Sequence, residues 1–356
     1  MRTHRPAYLP ALDGLRAIAV LLVLWSHVLP QMPGYPPWLV QLRALLGPGE
    51  LGVEIFFVLS GFLITRILLA EKAAARPVRW FLLRRMLRIF PIYYLLLLVI
   101  LFVQPGPTLL WCALYLSNFW FLVQTEANWL PHTWSLCIEE HFYLLWPFAV
   151  AMLPLRWARR VMAFFVLPGA IVAAIVICSQ VAPARAAEIL QLASPIRFLD
   201  LGAGCLCAFA EPRLTARPRR ALAVGAVLFA LGVASWPGYW LFFAPQQLGF
   251  GLPLAGGPVL GLLHSCLLAT GLVLITIAGS FGRQWFVRPL QLAPLRGIGR
   301  ISYGLYLYHF PLYVAVMGGR QTPGRLALAL LLTFAVAIAS YWLVERPLLR
   351  LGARFR

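Results

Sequence analysis

Residues 9–29 read LPALDGLRAIAVLLVLWSHVL, and this stretch decides the fold class. From Leu15 to Leu29 it is apolar enough to enter a bilayer, yet Asp13 and Arg16 stand at its start and His27 near its end. Eleven helical steps of about 100° bring Arg16 and His27 within about 20° of azimuth, and a rise of about 1.5 Å per residue sets them roughly 16 Å apart along the axis. One face of one membrane helix thus offers a cation toward one end and an imidazole toward the other. Ionisable groups are costly in lipid and as a rule face a bundle interior or a wet cavity, which makes them candidates for function. The plainer alternative is that Asp13 and Arg16 mark the membrane edge and His27 meets the far interface.

The rest of the chain repeats the apolar pattern. Of its 356 residues 62% are hydrophobic and 12% charged, against about 45–50% and about 25% in a soluble domain. Long apolar runs recur from end to end, so the expected fold is an all-α integral membrane protein, a polytopic bundle of about ten transmembrane helices. Residues 1–356 are expected to form one membrane domain. The net charge of +19 could suggest nucleic acid as a partner. The arginines, however, sit in short stretches between apolar runs, where a topology signal is expected, so no nucleic-acid partner is inferred. The six cysteines show neither metal spacing nor a paired framework, and no metal is expected. Residues 15–29 lack a following small-residue cleavage site and read as a retained span.

The positive-inside rule then orders the chain. Arg2 and Arg5 place the N-terminus in the cytoplasm. Residues 30–49, rich in Pro and Gly, suit an outer loop, and a second span at about 51–69 carries Glu54 and Ser60. Arg66, Lys72, Arg76, Arg79, Arg84, Arg85 and Arg88 form the densest basic stretch, cytoplasmic by the same rule, ahead of a third span at about 89–103. Residues 108–123 are too short for a full span and read as re-entrant or interfacial. Further spans are expected at about 136–153, 161–177, 196–209, 221–236, 259–278, 301–316 and 326–344. The loop at about 240–258 falls outside, and both termini fall in the cytoplasm.

This topology sorts the ionisable residues. His27, Glu54, His132, Glu139, Glu140, Arg197 and Asp200 fall at the outer level. Asp13, Arg16, Arg84, Arg85, Arg88, Arg300, Glu345 and Arg346 fall at the inner level. An imidazole can act as a general base near neutral pH, and a carboxylate can orient its ring. An inner arginine cluster suits phosphate groups, whose oxygens match the guanidinium fork. Ser302, Tyr306, His309 and Tyr313 follow helical i, i+4, i+7, i+11 spacing, a half-polar stripe that could line a cavity or serve as aromatic packing.

Five stretches together resemble the acyltransferase 3 family of bacterial integral-membrane acyltransferases. They are LDGLRAIAVLLVLWSH (12–27), GVEIFFVLSGFLIT (52–65), RWFLLRRMLRIFPIYY (79–94), HTWSLCIEEHFYLLWP (132–147) and IGRISYGLYLYHFPL (298–312), with a closing ERP at 345–347. The resemblance implies a bacterial inner-membrane enzyme that O-acylates saccharides or related acceptors, with acyl-CoA, by default acetyl-CoA, as co-substrate and no permanently bound cofactor. Carried over by position, it makes His27 the catalytic base, and Glu139, with Glu140 as understudy, would support the histidine or help position the acceptor. Arg16, Arg84, Arg85, Arg88 and Ser60 would attend the donor. Trp134, from the same motif as Glu139, would support the site, and so would Asp13, Glu54, Arg197, Asp200, Tyr306 and His309, which topology and helical spacing single out. The short basic tail after residue 347 looks like that of a stand-alone member without a fused soluble domain. A covalent acyl-enzyme on Ser60 or His27 and direct transfer both stay open at this stage. The alternative from another class is a polytopic transporter or flippase of a lipid-linked sugar or small molecule, which buried charges on a helical bundle also suit.

Overall fold

The computed structural model describes residues 7–28, 50–124, 129–181, 185–247, 257–318 and 322–355. Among them every regular element is a helix. In chain order these are α1 (Pro10–Val28), α2 (Glu50–Ala73), α3 (Val78–Val103), α4 (Pro107–Ala113), α5 (Ser117–Trp120), α6 (Thr133–Met152) and α7 (Leu155–Val181). There follow α8 (Ala186–Leu192), α9 (Ser194–Ala216), α10 (Pro218–Gln247), α11 (Gly257–Phe281), α12 (Ala293–Arg300), α13 (Ser302–Met317) and α14 (Pro323–Gly352). The expected outer loop at 30–49 lies outside the described residues, as do residues 248–256 of the one at about 240–258. That second loop is shorter than expected, because α10 continues through Gln247 and α11 begins at Gly257.

Among the described residues seven helices are long and apolar enough to cross a membrane: α1, α2, α3, α7, α10, α11 and α14. The bent pair α8 and α9, with 55° between its halves, makes an eighth if counted as one span. A helix also stands at the other two expected places, but neither meets the same measure. Glu139, Glu140 and His141 interrupt the apolar run of α6. The 16 residues of α13 extend only about 24 Å, short of a hydrocarbon core of about 30 Å. Residues 108–123 form the short helices α4 and α5 rather than a span.

The boundary that bears most on the expected donor site differs from the sequence expectation. The basic stretch is not a loop ahead of a span at 89. The helix α3 begins at Val78, directly after Pro77, and takes Arg79, Arg84, Arg85 and Arg88 into its first turns. Arginine is a good helix former, and an apolar run propagates helix backwards until a proline sets its start.

The chain divides into two compact units, Met1–Leu12 with Glu54–Ala75 and Ile138–Leu290, and Asp13–Val53 with Arg76–Cys137 and Gln291–Arg356. In the first, α2 and α9 pack backbone against backbone. A Cβ on Gly61 would run into the Leu201 carbonyl, and one on Gly204 into the Val58 carbonyl. Small residues permit such approach between helices in lipid, where van der Waals contact replaces the hydrophobic effect as the adhesive. Lys72, the only lysine in the chain, closes the end of α6. Its ammonium donates to the carbonyls of Val150 at 2.6 Å, Ala151 at 3.1 Å and Leu153 at 2.6 Å. Those carbonyls lack helical partners, and the negative end of the helix dipole favours a cation there. In the second unit, the Gly299 Cα of α12 abuts the Asp13 carbonyl of α1, a contact that leaves no room for a Cβ.

Candidate active site

In the second unit three histidines from distant parts of the chain meet. His27 lies in the last turn of α1, His132 immediately before α6, and His309 midway along α13. The rings of His27 and His309 stack at 5.0 Å between centroids. The His132 ring stands edge-on to His309 at 5.1 Å. His132 and His309 are buried, whereas His27 keeps part of its surface open. Phe310 completes the packing, stacked on His132 and edge-on to His27.

The hydrogen bonds fix which nitrogen does what. His309 Nδ1 lies 2.6 Å from the Tyr306 carbonyl oxygen, which can only accept, so Nδ1 carries the proton. In neutral His309 that leaves Nε2 as an acceptor. His27 Nδ1 lies 3.0 Å from it and therefore donates. The remaining nitrogen of neutral His27, Nε2, is then unprotonated and able to take a proton. A carbonyl thus sets His309, and His309 sets His27, in the way a carboxylate orients a base elsewhere.

His132 is held by a related device. Proline has no N–H, so Pro311 cannot donate to the carbonyl four residues back in α13, that of Leu307. His132 Nε2–H takes the place of that donor at 3.1 Å. The Tyr306 hydroxyl donates to the His132 carbonyl at 2.8 Å and also bonds Ser135. Full burial drives the His132 pKa down to about 3, and a nearby charge on His27 would push it the same way. His132 is therefore neutral across the physiological range. Among the described residues no group of three or more His, Cys, Asp or Glu is arranged to hold a metal ion.

The expected stripe on α13 is real: Ser302, Tyr306, His309 and Tyr313 are all buried. Two expected supporting residues, Tyr306 and His309, thus join His27. Trp134 is half-buried beside His132 in sequence. Sequence reasoning placed His132 at the same level but gave it no role. The signal that could have found its contact is Pro311, which frees the Leu307 carbonyl.

The inner-level residues of the same unit form a second group. Arg88 of α3 and Arg16 of α1 both act electrostatically on Glu345 of α14, which is buried. Asp13 faces Arg300 at 3.8 Å. Arg84 donates to the Phe355 carbonyl at 2.6 Å, tying the chain end to α3. Arg85 is half-buried.

The first unit holds the remaining expected residues. Ser60 Oγ–H donates to Glu139 Oε1 at 2.8 Å, so this serine serves the glutamate, and Glu140 stands half-buried next to it. Arg197 Nη1 reaches Glu54 Oε1 at 3.0 Å and Asp200 Oδ2 at 3.5 Å. All three are buried. One guanidinium between two carboxylates is a pairing that low polarity demands, since an uncompensated buried charge is expensive.

Helices able to cross a membrane, together with three histidines joined by rings and hydrogen bonds, describe a multi-pass membrane protein with a histidine cluster. The acyltransferase 3 model, described as an acyltransferase domain, matches residues 9–345, and the chain belongs to that family. It is 29% identical over 97% of its length to peptidoglycan O-acetyltransferase OatA of Listeria monocytogenes. It is 27% identical over 99% of its length to O-acetyltransferase OatA of Staphylococcus aureus. It is 28% identical over 99% of its length to the putative peptidoglycan O-acetyltransferase YrhL of Bacillus subtilis. The chain spans 56%, 59% and 57% of those three relatives. No solved structure matches it.

Proposed function

We propose that this chain is a bacterial inner-membrane O-acyltransferase. It moves an acyl group, by default acetyl, from cytoplasmic acyl-CoA to a hydroxyl of a saccharide, with a cell-wall glycan as the first acceptor to try. The observation that carries this reading is the hydrogen-bonded line from His27 Nδ1 through His309 to the Tyr306 carbonyl. The relatives named as peptidoglycan O-acetyltransferases support the acceptor class.

In this reading His27 Nε2 takes the proton of the acceptor hydroxyl as its oxygen attacks the thioester carbonyl. The carbon–oxygen bond forms, the carbon–sulfur bond breaks, and the proton passes from His27 to the departing CoA sulfur. His309 keeps His27 in the tautomer that can accept. General-base help of this kind contributes about 10²–10⁴-fold. Arg84, Arg85 and Arg88, in the first turns of α3, meet the phosphates of CoA on the cytoplasmic side, near Arg16. The positive-inside rule puts both termini in the cytoplasm and counts α6 and α13 among ten spans.

The test is thiol release from acetyl-CoA by purified protein in nanodiscs, with and without glycan acceptors, wild type beside His27→Ala. Release that depends on His27 and rises with acceptor is the expected result. Release unchanged in folded His27→Ala overturns the base assignment. No release and no acetyl-CoA binding by folded wild type overturns the enzyme reading and leaves transport.

A further inference from the structure

A groove in the first unit lies outside all of this chemistry. It encloses about 530 Å³ between the start of α7 and the far end of α9. Arg159, Arg160 and Arg213 line it, with Phe164, Leu206 and Phe209 as its apolar wall. The arginines are exposed, and among the described residues no carboxylate pairs with them. The acid closest in sequence, Glu211, is already held by Arg66, which donates to both its oxygens at 2.8 and 2.7 Å. Arg160 rests over the Trp157 ring at 5.0 Å, which fixes its stem and leaves the donor edge of its guanidinium available.

The groove also has a polarity along its length. Arg159 and Arg160 stand in the first turns of a helix apolar enough to cross a membrane, and exposed Phe164 and Phe165 follow them along it. Cations at the end of a span lie at headgroup depth, and the apolar flank beyond lies at acyl-chain depth. We propose that this groove binds one anionic phospholipid, its phosphate between Arg159, Arg160 and Arg213 and an acyl chain along Phe164, Leu206 and Phe209. Charge complementarity selects the headgroup, and the apolar wall selects a lipid over a free anion.

Native mass spectrometry of the purified full chain tests this, with phosphatidylglycerol and phosphatidylcholine as probes. Wild type is expected to retain phosphatidylglycerol in preference. A basic side chain near a headgroup contributes roughly fivefold in affinity. The triple variant Arg159→Gln, Arg160→Gln, Arg213→Gln is therefore expected to bind it about a hundredfold more weakly. Arg219→Gln with Arg220→Gln, outside the groove, is expected to bind as wild type. A photo-crosslinking phosphatidylglycerol should label residues 155–166 and 206–213 of unaltered protein. Equal retention of the two lipids, undiminished binding by the triple variant, or labelling elsewhere overturns the proposal. Displacement of the lipid by millimolar inorganic phosphate or by acetyl-CoA also overturns it, and assigns the groove to a soluble anion.

Discussion

Two buried polar groups, one in each unit, are built on opposite principles. Around His27 the partners are uncharged: an imidazole, a backbone carbonyl and a tyrosine hydroxyl. Around Arg197 they are ions, Glu54 and Asp200, and all three side chains are almost sealed from solvent. The histidine group leaves one member, His27, partly open. The ion group spends its charges on one another. A buried titratable residue in a membrane helix is thus not a mark of chemistry in itself. What separates the two groups is that one keeps a neutral side chain partly open, while the other is ionic and wholly buried.

Mutations can break this contrast. The largest effect is expected from His27→Ala, a loss of about 10²–10⁴ in acyl transfer with unchanged thermal stability in detergent. The reverse pattern is expected at the ion group. Arg197→Leu leaves two carboxylates without their cation and should cost about 3–5 kcal/mol of stability, read as a lowered unfolding temperature. If Arg197→Leu is stable but inactive, the ion group belongs to the reaction and the contrast fails.

Smaller effects sharpen it. His309→Ala should lower kcat about 10–100-fold with little change in KM, because the base is present but its tautomer is no longer set. His309→Gln should recover part of that loss, since its amide oxygen can accept from His27 Nδ1–H. A loss confined to KM would make His309 a binding residue instead. Ser60→Ala removes one hydrogen bond to Glu139, which keeps other interactions. The expected cost is about 1 kcal/mol in stability, and a near-complete loss of activity would move Ser60 into the reaction itself.

Gly61, Gly204 and Gly299 show how packing limits what the chain tolerates. Each meets a backbone carbonyl at a distance no Cβ allows. In Ser-Gly-Phe the glycine thus serves the approach of α2 to α9, while the serine beside it holds Glu139. Neighbours in one motif answer to different needs.

The sequence by itself determined the membrane class, the helix placements and the candidate residues. Apolar length, proline stops and arginine clustering are local quantities, and the spacing on α13 showed that Tyr306 and His309 share a face. It also showed that His27 is an ionisable group in an apolar helix, but not who orients it, and a carboxylate was the natural expectation. The tertiary structure alone decided that. The stacking of His309 on His27 joins residues 282 positions apart, and no local pattern records such a meeting. Likewise Pro311 announces a carbonyl in want of a donor, but only folding brings His132 to it. Nor does the start of α3 mark whether its arginines form a loop or a helix; the continuing turns settle it. Helix formation depends on neighbours along the chain, whereas a hydrogen-bonded histidine cluster depends on atoms brought together by packing.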